Sequence, residues 1–279
     1  MTPFYKMQGL GNDFVVFDAR NHELALDEAA ARAIADRRLG VGCDQVIVIE
    51  QPRARGDAMM RIFNADGDEV EACGNGARCV ARLLMVERDE TTVRIDTLGG
   101  LVLCSDAGAG AVTADMGVPG LQWQDIPLAD SVDTRAFALP VDGETLTATA
   151  VSMGNPHCVI FVDNAERAPV ADLGARIEKL PLFPERTNVE FVSVPSPGRL
   201  RMRVWERGAG ITRACGTGAC AAAVAAHRRE LGPRAWEVIL DGGMLSIDWR
   251  ETDDHVLTTG GATLVFTGQI DLATLGMRQ

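Results

Sequence analysis

A short phrase occurs twice in this chain, 142 residues apart, and each copy carries a cysteine followed by Gly-x-Gly. Residues 72–77 read Ala-Cys-Gly-Asn-Gly-Ala, and residues 214–219 read Ala-Cys-Gly-Thr-Gly-Ala. Solenoid repeats have periods of about 20–50 residues, so a period this long predicts two copies of one domain. The duplication places one cysteine, Cys73 or Cys215, at the same point of each copy.

Four further pairs of segments keep the same offset to within one residue. They are 11–14 with 154–157, 45–46 with 188–189, 60–64 with 202–206, and 99–100 with 242–243. Chance matching in a chain rich in Ala and Gly explains one such pair but not four in order. We therefore predict two domains, 1–118 and 119–262, joined at the Gly-Val-Pro-Gly segment of residues 117–120.

Composition narrows the class of protein. The chain has 279 residues, of which 47% are hydrophobic, as expected for globular domains. Its net charge of −12 argues against nucleic acid and anionic membranes as partners, but leaves an anionic small substrate open. We find no signal-peptide pattern and no apolar run of transmembrane length. The seven cysteines match neither zinc-site nor dense disulfide spacings, so we expect no metal, and reduced thiols in the cytoplasm.

The sequence also offers no recognisable cofactor site. The only lysines are Lys6 and Lys179, and neither lies in the phosphate-binding context that a pyridoxal phosphate enzyme needs. No Gly-x-Gly-x-x-Gly follows a strand pattern, and there is no P-loop. We therefore expect chemistry without a cofactor.

Hydrophobic periodicity predicts many short strands and few helices. The predicted strands are 14–17, 46–49, 60–63, 93–95, 100–103, 112–115, 146–150, 157–162, 188–192 and 201–205. The predicted helices are 27–39, with Asp27 as N-cap and Gly40 as the stop, 77–87, 171–180 and 219–226. The last of these is small and apolar on every side, which predicts complete burial. The fold class is therefore α+β, with two pseudosymmetric domains, each a curved, barrel-like, mostly antiparallel sheet around a central helix.

Each Cys-Gly-x-Gly segment lies where a strand pattern gives way to a helix pattern. Glycine lets the backbone approach a ligand, and the N-terminus of a helix favours an anion such as a carboxylate. The same field favours thiolate over thiol. A thiolate and a thiol on opposite faces of an α-carbon can remove one proton and return another, titrating as a coupled pair. The repeat thus predicts racemisation or epimerisation by Cys73 and Cys215, whereas inert packing is expected for Cys43, Cys79, Cys104, Cys158 and Cys220.

Six segments, in order along nearly the whole chain, resemble signatures of the diaminopimelate epimerase family. They are residues 9–14, 63–67, 73–79, 153–157, 205–208 and 214–218. Proline racemases and PhzF-type isomerases share the fold of that family but not all of these segments. The resemblance implies conversion of LL-diaminopimelate to the meso form in bacterial lysine and peptidoglycan synthesis. It also implies an active site between the two halves, a homodimer, and a last strand, within 263–279, that returns to the first domain.

The resemblance further implies roles for single residues. Cys73 and Cys215 would be the two bases, His157 and Glu206 would tune them, and Arg207 would bind the carboxylate of the non-reacting end. Side-chain amides suit a zwitterion because they both donate and accept hydrogen bonds. The substrate contacts implied besides Arg207 are Asn12, Gln45, Asn64, Gly74, Asn75, Asn155, Asn188, Glu206, Gly216 and Thr217.

Other interpretations remain open from the sequence. A cofactor-free racemase or epimerase acting on proline, hydroxyproline or histidine would not need residues that recognise a distal amino-acid end. A redox module would use Cys73 and Cys215 as a regulatory disulfide. Individually, Asn64 could be a turn residue, His157 a hydrogen-bonded core histidine, and Arg207 a solvated surface charge.

Overall fold

The computed structural model describes residues 1–71 and 73–275, with side chains to residue 273. These residues form two compact units. Unit 1 contains the chain up to Ala114 and again from Thr259 onward, and unit 2 contains Asp115–Thr258. The boundaries drawn from sequence at 118/119 and 262/263 remain a prediction. Ala72, which opens the first repeated phrase, and residues 276–279 of the predicted last strand lie outside the described residues.

Strands dominate both units. In chain order they are β1 (Thr2–Gly9), β2 (Asn12–Asp18), β3 (Gln45–Glu50), β4 (Ala58–Asn64), β5 (Glu69–Val70), β6 (Thr92–Thr97), β7 (Gly100–Gly108), β8 (Ala111–Asp115), β9 (Phe137–Val141), β10 (Glu144–Ser152), β11 (Pro156–Phe161), β12 (Asn188–Ser196), β13 (Arg199–Glu206), β14 (Gly210–Ile211), β15 (Ala235–Leu240), β16 (Gly243–Trp249), β17 (Val256–Gly261) and β18 (Thr263–Ile270). The helices are α1 (Glu28–Ala35), α2 (Gly74–Arg88), α3 (Val170–Ile177), α4 (Gly216–Arg228) and α5 (Leu272–Leu275), with a 3-10 turn at Ala165–Arg167.

Unit 1 is a mostly antiparallel sheet that surrounds one helix. Its strands follow the order β18-β1-β2-β3-β4-β6-β7-β8, and β5 pairs with β4. Only the β2/β3 and β4/β6 pairs among these are parallel. Helix α2 contacts β1, β2, β6 and β7, which come from both ends of this order. The sheet is therefore wrapped around α2.

Unit 2 repeats the order and directions of the first seven of these strands. The order is β9-β10-β11-β12-β13-β15-β16, with β14 paired to β13, and the parallel pairs are again β11/β12 and β13/β15. Helix α4 contacts six of these strands, β10 to β13, β15 and β16. The prediction of two copies, each a curved sheet around a central helix, is confirmed. The strand pairings of the described residues leave the sheet open rather than closed into a barrel.

The register of the strands repeats as well as their order. Phe14 of β2 pairs with Gln45 of β3, and His157 of β11 pairs with Asn188 of β12. Each residue of the second pair lies 143 positions after its counterpart in the first. Positions separated by 142 or 143 residues can therefore be compared directly between the units.

Helix α4 is surrounded by protein, as its sequence predicts. Gly216 and every residue from Gly218 to Ala226 are buried. The buried side chains of 219–226 are those of alanine, cysteine and valine, because strands approach the helix from all sides and leave room only for small side chains. In contrast, α2 is buried from Gly74 to Ala81 and exposes Val86 near its C-terminal end.

Several helix boundaries differ from the sequence-based prediction, among them the end of α3 at Ile177 instead of residue 180. Helix α1 begins after the predicted N-cap Asp27, but it ends at Ala35 instead of Leu39. The carboxylate of Asp36 accepts the N–H groups of Arg38 and Leu39 at 2.7 and 2.8 Å, which turns the chain out of the helix. Helices α2 and α4 begin three residues earlier than predicted, because their Gly-x-Gly segments form the first helical turn.

A charged cluster in unit 1 joins β1 and β2 to the loop before β3. Lys6 donates a hydrogen bond to Asp13, and Arg37 donates to Asp13 at 2.6 Å and to Asp44 at 2.8 Å. Burial acts against ionisation of Asp13, but the hydrogen bonds from Arg37 and Lys6 prevail and lower its pKa to about 2. This cluster fixes the segment that carries Asn12.

The cluster predicts a pH-dependent stability difference for Asp13→Asn. A carboxyl with a lowered pKa stabilises the fold above its unfolded value of 3.8, and this contribution is lost as the pH falls through about 2. Urea unfolding should therefore show Asp13→Asn less stable than wild type at pH 7, with the gap closing between about pH 4 and pH 2. The exposed Asp130→Asn is the matched control. A gap of constant size across this range would contradict the prediction.

Candidate active site

Cys73 caps the N-terminus of α2 with its sulfur. Its backbone is extended, with φ −146° and ψ 111°, and its Sγ accepts the N–H of Gly76 at 3.4 Å. The carbonyl of Cys73 accepts the N–H of Ala77 at 2.8 Å, the first hydrogen bond of the helix. The thiol thus takes the position usually held by a serine or aspartate side chain at a helix start.

Two of the predicted substrate contacts in unit 1 lie against Cys73. The Cys73 thiol lies 3.8 Å from Oδ1 of Asn12, which also accepts a hydrogen bond from Asn75 at 3.2 Å. Asn12 donates in turn to Asp44 at 3.0 Å, and Asn75 accepts from the buried Arg78 at 2.6 Å. The two amides are therefore held in fixed orientations beside the sulfur.

Gln45 and Asn64 form a second predicted pair in unit 1. They are direct partners in the β3/β4 ladder, and Gln45 Nε2 donates to Asn64 Oδ1 at 2.9 Å. Asn64 also enters the turn before β5, where Gly67 adopts φ 93° and donates its N–H to the Asn64 carbonyl. Oε1 of Gln45 is buried and, among the described residues, has no hydrogen-bond partner. That oxygen is an acceptor suited to a ligand N–H group.

Cys215 caps α4 in the same way. Its Sγ accepts the N–H of Gly218 at 3.3 Å and lies 3.5 Å from the hydroxyl of Thr217, and its carbonyl accepts the N–H of Ala219 at 3.0 Å. Cys215 is 6% exposed, and is buried more completely than Cys73. The N–H groups of Gly216 and Thr217 belong to the first helical turn, where no intrahelical acceptor is available.

A line of polar contacts leads from Thr217 into the core of unit 2. Asn155 Nδ2 donates to Thr217 Oγ1 at 3.4 Å, and Asn155 Oδ1 lies 2.9 Å from His157 Nε2. On its other side, His157 Nδ1 lies 2.7 Å from Oε1 of Glu190. Both His157 and Glu190 are fully buried. His157 is therefore both a hydrogen-bonded core histidine and a neighbour of the predicted site residues.

The surroundings of Cys215 oppose the effect that the helix N-terminus has on its thiol. Burial raises the pKa of its thiol well above the usual value, and the carboxylates of Glu206 and Glu190 add to that rise. The hydroxyl of Thr217 and the N–H of Gly218 act in the opposite direction but do not prevail. Burial and the two carboxylates thus act against the field of the helix N-terminus and favour the protonated thiol of Cys215.

Glu206 is itself kept in an unusual state. Burial raises the pKa of its carboxyl, against the hydrogen bond donated by Thr212, and the nearby charge of Glu190 raises it further. The Cys215 thiol and the charge of His157 act to lower it. Glu206 and Cys215 thus influence each other directly, while His157 reaches Cys215 through Asn155 and Thr217.

Asn188 and Arg207 meet at the ends of β12 and β13. Asn188 donates to the carbonyl of Pro156 at 2.9 Å and accepts the backbone N–H of Arg207 at 3.0 Å. The guanidinium of Arg207 is exposed and donates to the carbonyl of Glu185 at 3.2 Å. Asn188 thus fixes the backbone from which the Arg207 side chain projects.

Sequence reasoning did not single out Glu190. In unit 1 the equivalent positions of His157 and Glu190 hold Phe14 and Ile47, both buried and apolar. Alignment of the two repeats could have identified it. Residues 45–49 read Gln-Val-Ile-Val-Ile and residues 188–192 read Asn-Val-Glu-Phe-Val, so a strand pattern typical of burial carries a carboxylate where its copy carries isoleucine.

The remaining five cysteines pack inside the units. All of them are buried, and burial raises the pKa values of Cys43 and Cys79 to about 12. Burial also raises the pKa of Cys158 strongly. The thiols of Cys43, Cys79 and Cys158 therefore stay protonated, and the burial of all five fits the predicted packing role.

Two further observations concern only the described part of the chain. None of its helices is long and apolar enough to cross a membrane. No three of its histidine, cysteine, aspartate and glutamate side chains come together as a metal-binding group.

Comparison of the sequence and the fold with those of known proteins identifies a family, named relatives and solved structures of the same fold. A family model described as diaminopimelate epimerase matches residues 4–121 and 149–265. A diaminopimelate epimerase from Acidiphilium cryptum is 51% identical over 273 residues, which cover 98% of each chain. One from Rhodospirillum centenum is 52% identical over 268 residues, covering 96% of this chain and 91% of that protein. A crystal structure of a probable proline racemase from Agrobacterium radiobacter K84 shares the fold, with a TM-score of 0.70 at 15% identity, covering 98% of this chain and 93% of that one. The chain therefore belongs to the diaminopimelate epimerase family.

Proposed function

We propose that this protein interconverts LL-2,6-diaminopimelate and meso-diaminopimelate without a cofactor, in lysine and peptidoglycan biosynthesis. The observation that carries the proposal is the cysteine sulfur at the same helix N-cap of each unit, in a chain whose relatives of about 50% identity are named for this activity. Because relatives of about 50% identity are named diaminopimelate epimerase, we favour diaminopimelate over proline, hydroxyproline or histidine as the substrate.

The reaction must overcome the very weak acidity of an α-hydrogen. It needs a base on one face of the carbon and stabilisation of the charge that spreads into the carboxylate. We assign these base roles to Cys73 and Cys215. The α-C–H bond breaks as an S–H bond forms on one sulfur, while the other S–H bond breaks as a new C–H bond forms on the opposite face. The negative charge passes from one sulfur to the other, so the reverse reaction uses the same pair with exchanged roles.

The surroundings of Cys215 support the donor role at the start of a turnover. Burial and the carboxylates of Glu206 and Glu190 raise its pKa, so it carries the proton that the carbon must receive. Glu206 tunes the thiol directly, and His157 does so through Asn155 and Thr217. Cys73 would then begin as the thiolate, at a helix N-terminus that stabilises negative charge.

The substrate carboxylate at the reacting end suits the two helix N-termini. The N–H groups of Gly74, Asn75, Gly216 and Thr217 would supply donors to it, because first-turn N–H groups attract anions. Asn12 and Asn75 would orient it beside Cys73, where their amides already lie.

The non-reacting end carries an ammonium and a second carboxylate. The exposed guanidinium of Arg207 suits the carboxylate through a bidentate contact. Asn64, Asn155 and Asn188 combine donors with acceptors, and the unpartnered Gln45 Oε1 can accept from an ammonium N–H. Glu206 would add a further acceptor near the substrate. We also infer, from the family resemblance, that the protein works in the cytoplasm as a homodimer.

The direct test is proton NMR of LL-diaminopimelate in D2O with reduced protein and no added cofactor. The proposal requires the meso isomer to appear with deuterium at one α-carbon. Deuterium exchange into proline or histidine, with none into diaminopimelate, would retain the two-thiol chemistry and reject the substrate. Absence of exchange in all three would reject the function.

Replacing either base with serine should stop turnover. A serine hydroxyl is a far weaker acid than a thiol, so Cys73→Ser and Cys215→Ser should each lower kcat by roughly 10²-fold or more. Cys43→Ala is the matched control, because that thiol is buried and inert, and it should keep normal kcat. Near-normal kcat in either serine variant would exclude the two-thiol mechanism.

Arg207→Ala should chiefly weaken binding of the distal carboxylate. Loss of a charge-assisted contact predicts a KM about tenfold higher or more, with a smaller change in kcat. Arg199→Ala removes an exposed guanidinium in the same unit that pairs with Glu237, and it should leave both constants unchanged. Unchanged kinetics for Arg207→Ala would return Arg207 to a surface role.

A further inference from the structure

Glu190 is placed where packing alone would favour an apolar residue. Its side chain is fully buried in β12, and the equivalent residue of unit 1, Ile47, is fully buried too. A buried carboxylate destabilises a fold unless hydrogen bonds or charges compensate for its lost hydration. Glu190 has one such partner, His157, while Oε2 has none among the described residues. A residue so poorly compensated points to a role other than stability.

The strand pairing explains how Glu190 meets His157. The two residues are diagonal neighbours on the parallel strands β11 and β12, because His157 pairs with Asn188 and Glu190 lies two residues further on. The same diagonal in unit 1 joins Phe14 and Ile47. The two units therefore have this diagonal pair at equivalent positions. The pair is apolar in unit 1 and polar in unit 2, where it lies beneath Cys215.

Glu190 also lies directly under the cap of α4. A Cβ placed on Gly218 would lie 2.8 Å from Glu190 Oε1 and 3.2 Å from Cys215 Sγ. The carboxylate is therefore a close neighbour of the glycine whose N–H group holds the sulfur. In unit 1, a Cβ on Gly76 would lie 2.9 Å from the Ile47 methyl group instead.

Two routes thus connect Glu190 with the thiol. One is electrostatic, since the charge of Glu190 is among the causes that raise the pKa of Cys215, after burial and Glu206. The other is the line of contacts through His157, Asn155 and Thr217, with distances of 2.7, 2.9, 3.4 and 3.5 Å from the Glu190 carboxylate to Sγ.

We propose that Glu190 is a positioning residue for Cys215: it fixes the imidazole of His157 and thereby Asn155 and Thr217, whose hydroxyl lies beside the sulfur. The negative charge of Glu190 acts on the same thiol and opposes the loss of its proton. This inference rests on the proposed function, in which Cys215 exchanges a proton with the substrate. Glu206 on β13 also acts on the thiol. Burial, and after it the charge of Glu190, raises the pKa values of Glu206 and of the buried Cys158 on β11.

The test measures the thiol without substrate, so it is independent of whether diaminopimelate is turned over. The pH dependence of Cys215 alkylation by iodoacetamide is followed by mass spectrometry of the Cys215 peptide. Glu190→Gln removes a negative charge but keeps the shape, so the midpoint should fall by about one pH unit. Glu178→Gln is the matched control, a buried carboxylate of unit 2 that accepts from Trp205 and Gly208, and its midpoint should match wild type.

A double variant covers the case in which Glu190→Gln does not fold. His157→Phe combined with Glu190→Ile installs the pair that already packs in unit 1, and apolar replacement of a buried polar pair is commonly tolerated. It should melt at or above the wild-type temperature and show the same lowered alkylation midpoint. A midpoint equal to wild type in either folded variant, or an equal fall in Glu178→Gln, would overturn the proposal.

Kinetics separate positioning from charge. Glu190→Asp keeps the charge but shortens the side chain, so the alkylation midpoint should stay near wild type while kcat falls roughly tenfold with little change in KM. Wild-type kcat in Glu190→Asp would overturn the positioning role. If wild-type protein shows no exchange with diaminopimelate but the Glu190→Gln midpoint still falls, the proposed substrate is wrong and the role of Glu190 stands.

Discussion

The structure depends on one hydrogen bond made twice, from a first-turn N–H group of a central helix to a cysteine sulfur. Gly76 N–H bonds Cys73, and Gly218 N–H bonds Cys215. This bond starts the helix, fixes the sulfur at the positive end of the helix dipole, and leaves the preceding N–H groups beside it. The same hydrogen bond thus sets the direction of the helix, the position of the thiol and the anion-binding N–H groups beside it. This explains why each repeat has the sequence Cys-Gly-x-Gly at this point.

The two copies share a scaffold but differ in electrostatics. Strand order, strand direction and register agree, yet Phe14 and Ile47 of unit 1 stand where unit 2 has His157 and Glu190. Different surroundings give the two thiols different affinities for the proton that they exchange with the substrate. Substitution at two internal positions changes the field at one thiol while the backbone stays the same.

Much of this arrangement was predictable because local signals and the repeat agree. The strand patterns, the capping Asp27 and the all-round burial of α4 follow from periodicity and residue size. Other features depend on side-chain contacts that hydrophobic periodicity does not reveal. The early end of α1 depends on the side chain of Asp36, and the thiol state of Cys215 depends on burial and carboxylates from two other strands. The sequence motif shows the helix dipole, but the opposing desolvation appears only once the fold is known.

The path of the chain has a consequence for how the protein is made. Strand β1 opens the chain and pairs with β18, near its end, so unit 2 lies in sequence between two parts of unit 1. During synthesis, all of residues 115–258 are made before β18. The edge of β1 that pairs with β18 therefore stays uncovered until β18 has been made. Removal of β18 by truncation would therefore expose an edge of β1, the strand with which it pairs.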